Sequence, residues 1–125
     1  MPTLIDTTVL IDALRGDARA AAYLAATRRN DTLFSVTPVR TEILGGVRDD
    51  EVRRTFDLLR LIHWLDITVE VADLAGALRR EFHRSHAGIE TVDYLLAAGT
   101  IQIDAALATQ NVRDFPMFPG LQPPY

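Results

Sequence analysis

Apolar positions along the chain follow two alternating periods, which predict strands connected by helices. Short apolar runs between turn residues predict buried strands, and apolar residues three or four positions apart predict amphipathic helices. Strands are predicted at residues 3–5, 33–36, 63–67 and 104–109. Helices are predicted at residues 7–15, 18–29, 37–45, 49–59, 70–84 and 91–98.

Capping and turn residues mark most of the predicted boundaries. Gly16 ends the first helix, and Asp17 is placed to cap the second. Thr37 is predicted to cap the third helix with proline at its first position, and Thr91 to cap the sixth, which Gly99 closes. The segment 116–125 holds four prolines and is predicted to add at best one short strand near Leu121.

The alternation of strands and helices predicts an α/β protein with a parallel sheet and helices on both faces. We therefore expect a single α/β/α sandwich with a short four- to five-stranded parallel sheet and right-handed crossovers. The length of 125 residues suits one domain over residues 1–125.

Composition narrows the functional classes. The chain has no cysteine, which excludes a disulfide framework and a thiolate metal site and is compatible with a reducing cytoplasm. No apolar run approaches the ~18 residues of a membrane span, and the start lacks the pattern of a signal peptide. The net charge of −4 argues against nucleic-acid binding through bulk positive potential, although all 13 basic residues are arginines, which suit phosphate.

Polar residues stand at several predicted strand ends and helix starts. Asp6 ends the first strand, Asp93 lies in the first turn of the sixth helix, and Asn111 and Asp114 follow the last strand. In a parallel sheet these positions share the carboxyl edge, where ligands bind. Glu42, beside an apolar helix face, joins them only if the third helix packs across that edge.

Clustered carboxylates repel one another unless cations lie between them. Oxygen ligands suit Mg²⁺ or Mn²⁺, which activate water and stabilise charge on a phosphoryl group, so the cluster predicts phosphodiester hydrolysis. Each residue also has a structural interpretation. Asp6 would cap the first helix, Asp93 would favour the helix dipole, Glu42 would be an ordinary exposed residue, and Asn111 and Asp114 would form a turn. Four further acids are interpreted as solvated or capping: Asp12, Asp66, Asp73 and Asp104.

Four segments carry a family resemblance. They are residues 4–11 (LIDTTVLI), 41–44 (TEIL), 88–98 (GIETVDYLLAA) and 107–115 (LATQNVRDF). In order and spacing they resemble the PIN-domain family, and more narrowly the VapC-type toxins of toxin–antitoxin pairs. The resemblance implies a Mg²⁺- or Mn²⁺-dependent endoribonuclease that forms a homodimer, with RNA as substrate. It also implies inhibition by a small VapB-type antitoxin that binds operator DNA.

The resemblance also implies roles for individual residues. Three acids would hold the metal, namely Asp6, Glu42 and Asp93. The fourth acidic position falls in residues 111–114, where either Asn111 or Asp114 would fill it. Two hydroxyl residues would support the ligand geometry, Thr8 and Thr109.

Contacts with RNA and antitoxin are less visible in the sequence. Arg84 ends the predicted long helix and His86 follows it; both would hold phosphates, or else form a solvated basic helix end. The apolar surface around Tyr23 and Leu24 would receive an apolar antitoxin segment, or else belong to the core. Two other functions stay open, a housekeeping PIN nuclease that processes RNA and a non-catalytic PIN-fold binding module. The interpretation as a phosphotransfer receiver domain, or as a phosphatase with a nucleophilic aspartate, is remote. Both classes normally need a lysine, and this chain has none.

Overall fold

Four short parallel strands form one sheet at the centre of the protein. The computed structural model describes residues 1–125. The strands are β1 (Thr3–Ile5), β2 (Leu33–Val36), β3 (His63–Leu65) and β4 (Ala106–Ala108). They lie in the order β3-β2-β1-β4, with Thr3 of β1 in register with Leu33 and Ala106. The predicted α/β fold with a short parallel sheet is therefore confirmed, with four strands.

Six helices flank the sheet. They are α1 (Thr7–Leu14), α2 (Ala18–Asn30), α3 (Thr37–Gly45), α4 (Val52–Leu59), α5 (Val69–Phe82) and α6 (Thr91–Gln102). Helix α6 packs on β1, β2 and β4 and is itself covered by α5, while α1 packs on α2, α3 and α4. The arrangement matches the predicted α/β/α sandwich. None of the helices has the length and apolarity needed to cross a bilayer.

The central strand is apolar because it is covered on both sides. Leu4 and Ile5 of β1 are fully buried, as expected for a strand between two helical layers. They join a continuous apolar core that includes Leu10, Tyr94 and Phe115. This core fixes the carboxyl end of β1, where Asp6 follows.

Two predicted helix caps are wrong by one residue. Helix α3 begins at Thr37 itself, with Val36 in the capping position, because β2 runs into the helix without a linker. Helix α6 is preceded by Glu90 rather than capped by Thr91. By contrast, Asp17 caps α2 as predicted, accepting a hydrogen bond from the Arg19 N–H at 2.9 Å.

The sixth helix continues beyond its predicted end. Gly99 lies inside α6, and a Cβ atom there would be 2.9 Å from Cγ1 of Val36 and 3.6 Å from Cδ2 of Leu4. The glycine therefore serves the close approach of α6 to the sheet and does not stop the helix.

Three further boundaries differ from prediction. Residues Asp49–Glu51 form a separate 3₁₀ turn before α4, and β3 ends at Leu65. Asp104 has a φ of +51°, so it belongs to a turn before β4 rather than to the strand. No strand forms near Leu121.

The prediction that Asp12 is only a solvated or capping residue is also wrong, because its Oδ2 accepts a 2.7 Å hydrogen bond from the Tyr125 hydroxyl.

Candidate active site

Asp6 lies at the carboxyl end of β1 and is only 4% exposed. Its backbone N–H donates to the carbonyl of Ala108 at 2.9 Å, which extends the β1–β4 ladder by one residue. Its carboxylate Oδ2 accepts hydrogen bonds from the hydroxyls of Thr8, at 2.8 Å, and Thr109, at 2.7 Å. The central strands thus present a buried carboxylate with two fixed donors.

The hydrogen bonds of Asp6 argue against its interpretation as a helix cap. Asp6 stands at the capping position of α1, but its side chain accepts no hydrogen bond from a backbone N–H group of the helix. Burying a carboxylate is costly unless donors compensate for lost water, and the two threonine hydroxyls do so. Since both bonds fall on Oδ2, the second oxygen is left for another ligand.

The loop after β4 orients the two threonines. The Gln110 N–H donates to Oγ1 of Thr8 at 3.1 Å, and the Asn111 N–H donates to Oγ1 of Thr109 at 3.0 Å. A 3₁₀ turn, Val112–Asp114, follows directly. Asn111 directly precedes this turn, and its side-chain amide donates to Oδ2 of Asp114 at 2.6 Å. Asn111 and Asp114 are therefore partners, with the negative charge on Asp114.

Asp93 occupies the first turn of α6, where its Oδ2 accepts a 3.1 Å hydrogen bond from the Glu90 N–H. Burial raises the pKa of Asp93 from 3.8 to about 6, against the lowering effect of the Glu90 bond. Negative charges on Asp6, Asp114 and Glu42 raise this pKa further. The side chain therefore stabilises its own helix and also belongs to a cluster of four mutually repelling carboxyl groups.

Glu42 joins the cluster from α3. Helix α3 packs against both α1 and α6, the arrangement that the sequence alone left open. The Thr7 hydroxyl donates to Oε1 of Glu42 at 2.9 Å, while the Glu42 side chain remains exposed. Glu42 is thus the most solvated member of the cluster and is held only by a single surface hydrogen bond.

The donor chemistry of the cluster fits a hard divalent cation. All the candidate ligands are carboxylate oxygens, the ligands that Mg²⁺ and Mn²⁺ prefer. A cation among them would also relieve the repulsion that raises the pKa of Asp93. No group of three acidic or histidine side chains is already arranged so that all three could bind one metal ion. Binding would therefore involve rotation of side chains, for which exposed Glu42 has the most freedom.

The remaining predicted contact residues lie outside this cluster. Arg84 and His86 are exposed on the connection between α5 and α6, and the Nδ1 atom of His86 lies 2.8 Å from the Ser85 hydroxyl. Leu24 is buried in the core, whereas Tyr23 is partly buried and its ring centroid is 6.2 Å from that of Tyr125.

Sequence reasoning missed two participants. Thr7 holds Glu42, and the backbone of Gln110 holds Thr8. Thr7 directly follows the site acid Asp6, so its hydroxyl could have been recognised as a candidate from the sequence. The role of Gln110 belongs to its main chain and gives no signal in residue type.

Comparisons with known proteins assign this fold to a class. The sequence pattern of the PIN domain matches residues 3–118. The chain belongs to the PIN-domain family, and within it to the VapC group.

Particular relatives cover nearly the whole chain. It is 46% identical over 123 residues to Ribonuclease VapC19 of Mycobacterium tuberculosis, covering 98% of both proteins. It is 38% identical to Ribonuclease VapC10 of the same organism, covering 98% of this chain and 92% of that one. A solved structure, a toxin–antitoxin complex from Klebsiella pneumoniae, matches with a TM-score of 0.83 and 26% identity over 98% of both chains. A second solved structure is that of VapBC2 from Rickettsia felis bound to a DNA fragment from the VapBC2 promoter. It matches with a TM-score of 0.79 at 21% identity, covering 97% of this chain and 96% of that one.

Proposed function

We propose that the protein is a Mg²⁺- or Mn²⁺-dependent endoribonuclease and the toxin of a type II toxin–antitoxin pair. The observation that carries the proposal is the buried carboxylate of Asp6, which the hydroxyls of Thr8 and Thr109 hold beside the acidic side chains of Glu42, Asp93 and Asp114. Identity of 46% to a ribonuclease of the VapC group supports the same activity. We further propose that residues 1–125 make up one nuclease domain that acts in the cytoplasm.

In this proposal Asp6, Glu42 and Asp93 hold the metal, and Asp114 completes the catalytic set. A bound divalent ion would activate water and stabilise negative charge on the phosphoryl group. Asp6 is the fixed ligand, since two hydroxyls set its orientation. Asn111 serves by directing the Asp114 carboxylate, because its own amide carries no charge.

Arg84 and His86 are proposed to contact the RNA backbone. Arg84 is exposed and forms no ion pair, so its guanidinium is free to bind phosphate. Both residues lie on the connection that leads into α6, the helix that carries Asp93.

Single substitutions test the nuclease proposal. Asp6→Asn and Asp93→Asn should abolish cleavage of RNA while the circular dichroism spectrum remains that of the unmodified protein. Asp73→Asn, at an exposed position of α5, is the matched control and should cleave normally. Cleavage should also stop with a chelator and return with Mn²⁺. Full activity in either site variant, with contaminating nuclease excluded, would contradict the proposal.

The antitoxin is proposed to bind a groove between α1, α2 and α4. This groove has a volume of about 300 Å³ and is lined mainly by apolar side chains, including Leu14, Leu58 and Leu61, with Arg28 and Arg54 also in its wall. An apolar segment of a VapB-type antitoxin, itself bound to operator DNA, fits this chemistry. Solved neighbours that are toxin–antitoxin complexes support such a partner.

Binding to the groove can be tested at its exposed edge. Leu61 is 40% exposed, so Leu61→Glu should weaken antitoxin binding without unfolding the chain. Val69→Glu, at a 72% exposed position on α5, is the control.

We also propose that the protein forms a homodimer, which analytical sedimentation would detect. Growth arrest on expression, relieved by the product of a neighbouring reading frame, would separate a toxin from a housekeeping nuclease. Absence of Mn²⁺ binding would favour a non-catalytic module.

A further inference from the structure

Tyr125 connects the first two helices to the loop beside the acidic cluster. Its hydroxyl donates to Oδ2 of Asp12 on α1 at 2.7 Å. Its ring lies 5.5 Å from the Arg19 guanidinium carbon, and its centroid is 6.2 Å from that of the Tyr23 ring, both on α2. These contacts fix an aromatic side chain that lies beyond residue 118, where the match to the PIN-domain pattern ends.

Gln110 carries this contact toward the site. Its side-chain amide Nε2 donates to the backbone oxygen of Tyr125 at 3.3 Å. The oxygen of the same side-chain amide, Oε1, is buried without a hydrogen-bond partner. The side chain of Gln110 is thus enclosed against the tail, and the bond to Tyr125 is the only hydrogen bond that its amide makes.

The backbone of Gln110 determines the direction of a hydroxyl at the site. A threonine hydroxyl has one proton to donate and lone pairs that accept. The Gln110 N–H occupies the accepting side of Thr8 at 3.1 Å, so the proton points to Oδ2 of Asp6, 2.8 Å away. If the loop moved, Thr8 would be free to rotate and Asp6 would lose one of its two donors.

We propose that Tyr125 is a positioning residue for the acidic site, acting through Gln110 and Thr8 on the carboxylate of Asp6. The role rests on the proposed function of that cluster as a metal site. It predicts that disturbing Tyr125 loosens residue 110 first and weakens divalent-metal binding second, while the core is unaffected.

The first test uses metal-free protein and measures amide hydrogen exchange. Tyr125→Phe removes the hydroxyl but keeps the ring, and Gln110→Met removes the amide at similar length. Both should accelerate exchange of the residue 110 amide about tenfold and leave the amides of α6 unchanged, because local opening is independent of global unfolding. Tyr23→Phe and Gln122→Ala are the controls, since neither side chain makes a hydrogen bond.

The second test measures Mn²⁺ binding by calorimetry. Removing a direct hydrogen-bond partner of a ligand typically weakens metal binding ~10–100-fold, so each of these more distant variants should weaken it about 3–10-fold. The double variant should bind no more weakly than Gln110→Met alone, because Tyr125 acts through Gln110.

Unchanged exchange at residue 110 would overturn the inference, as would unchanged Mn²⁺ affinity in both variants of a chain that binds Mn²⁺. An unmodified chain that binds no Mn²⁺, yet shows the exchange response, would count against the proposed function while supporting the contact chain from Tyr125 to Thr8.

Discussion

The electrostatic cost of Asp93 leads to a stability prediction. Asp93→Asn removes the charge that burial and three neighbouring carboxylates disfavour, while the new side-chain oxygen can still accept from the Glu90 N–H. We therefore expect the variant to be more stable than the unmodified protein in metal-free buffer at neutral pH. A residue proposed to be essential for activity should thus be unfavourable for stability.

The magnitude follows from the pKa of Asp93, which is raised from 3.8 to about 6. At ~1.4 kcal/mol per pKa unit this corresponds to roughly 3 kcal/mol. Because the side chain is only half-buried, solvent screening reduces the expected gain to about 1–2 kcal/mol. The folded state holds its proton more tightly than the unfolded state, so unfolding releases a proton between about pH 4 and pH 6. The contribution of Asp93 to stability therefore falls as pH rises through this range, and the advantage of the variant is complete above it.

Urea denaturation with a chelator present, at pH 7.5 and pH 4, provides the assay. The variant should exceed the unmodified protein by about 1–2 kcal/mol at pH 7.5 and match it near pH 4. Asp73→Asn, on an exposed surface of α5, should show no comparable pH-dependent gain. A variant no more stable at pH 7.5, or equally stabilised at both pH values, would refute the reasoning.

Three other predictions concern the hydroxyl support, the helix–sheet contact and the metal. Thr109→Val should cost about 1–3 kcal/mol in urea denaturation, because it removes a donor to the buried carboxylate of Asp6 and the acceptor of the Asn111 N–H, and Thr109→Ser should restore most of the loss. Gly99→Ala should lower stability by about 1–3 kcal/mol, since its Cβ would lie 2.9 Å from Cγ1 of Val36. Gly76→Ala, with open space around it, should instead raise stability by up to about 1 kcal/mol, so equal effects would contradict the packing argument. Mn²⁺ at about 100 times its Kd should stabilise the unmodified protein by about 2.7 kcal/mol, reversed by a chelator, and no shift in the melting temperature would count against the metal site.

The parts of the fold that were predicted from sequence are those with a local physical cause. The strands at Leu33–Val36 and Thr3–Ile5 are short apolar runs that only a covered sheet accommodates, and Asp17 caps α2 through a contact two residues away. The errors have causes distant in sequence. Gly99 reads as a helix end, but the helix continues there because the absence of a side chain lets α6 approach Val36, 63 positions earlier by difference of residue numbers.

The same distinction explains why the cluster could be proposed from sequence but not its supports. Asp6 and Asp93 were predictable as neighbours because parallel topology brings strand ends and helix starts to one edge. The approach of Glu42 depends on how α3 packs against α1 and α6, which no local pattern encodes. Gln110 acts through its main chain, and Tyr125 reaches Asp12 across 113 positions. A carboxylate cluster needs acids that a sequence displays, whereas the orientation of each oxygen depends on backbone groups and distant contacts. Substitutions at Gln110 and Tyr125 should therefore change metal affinity more than they change the fold.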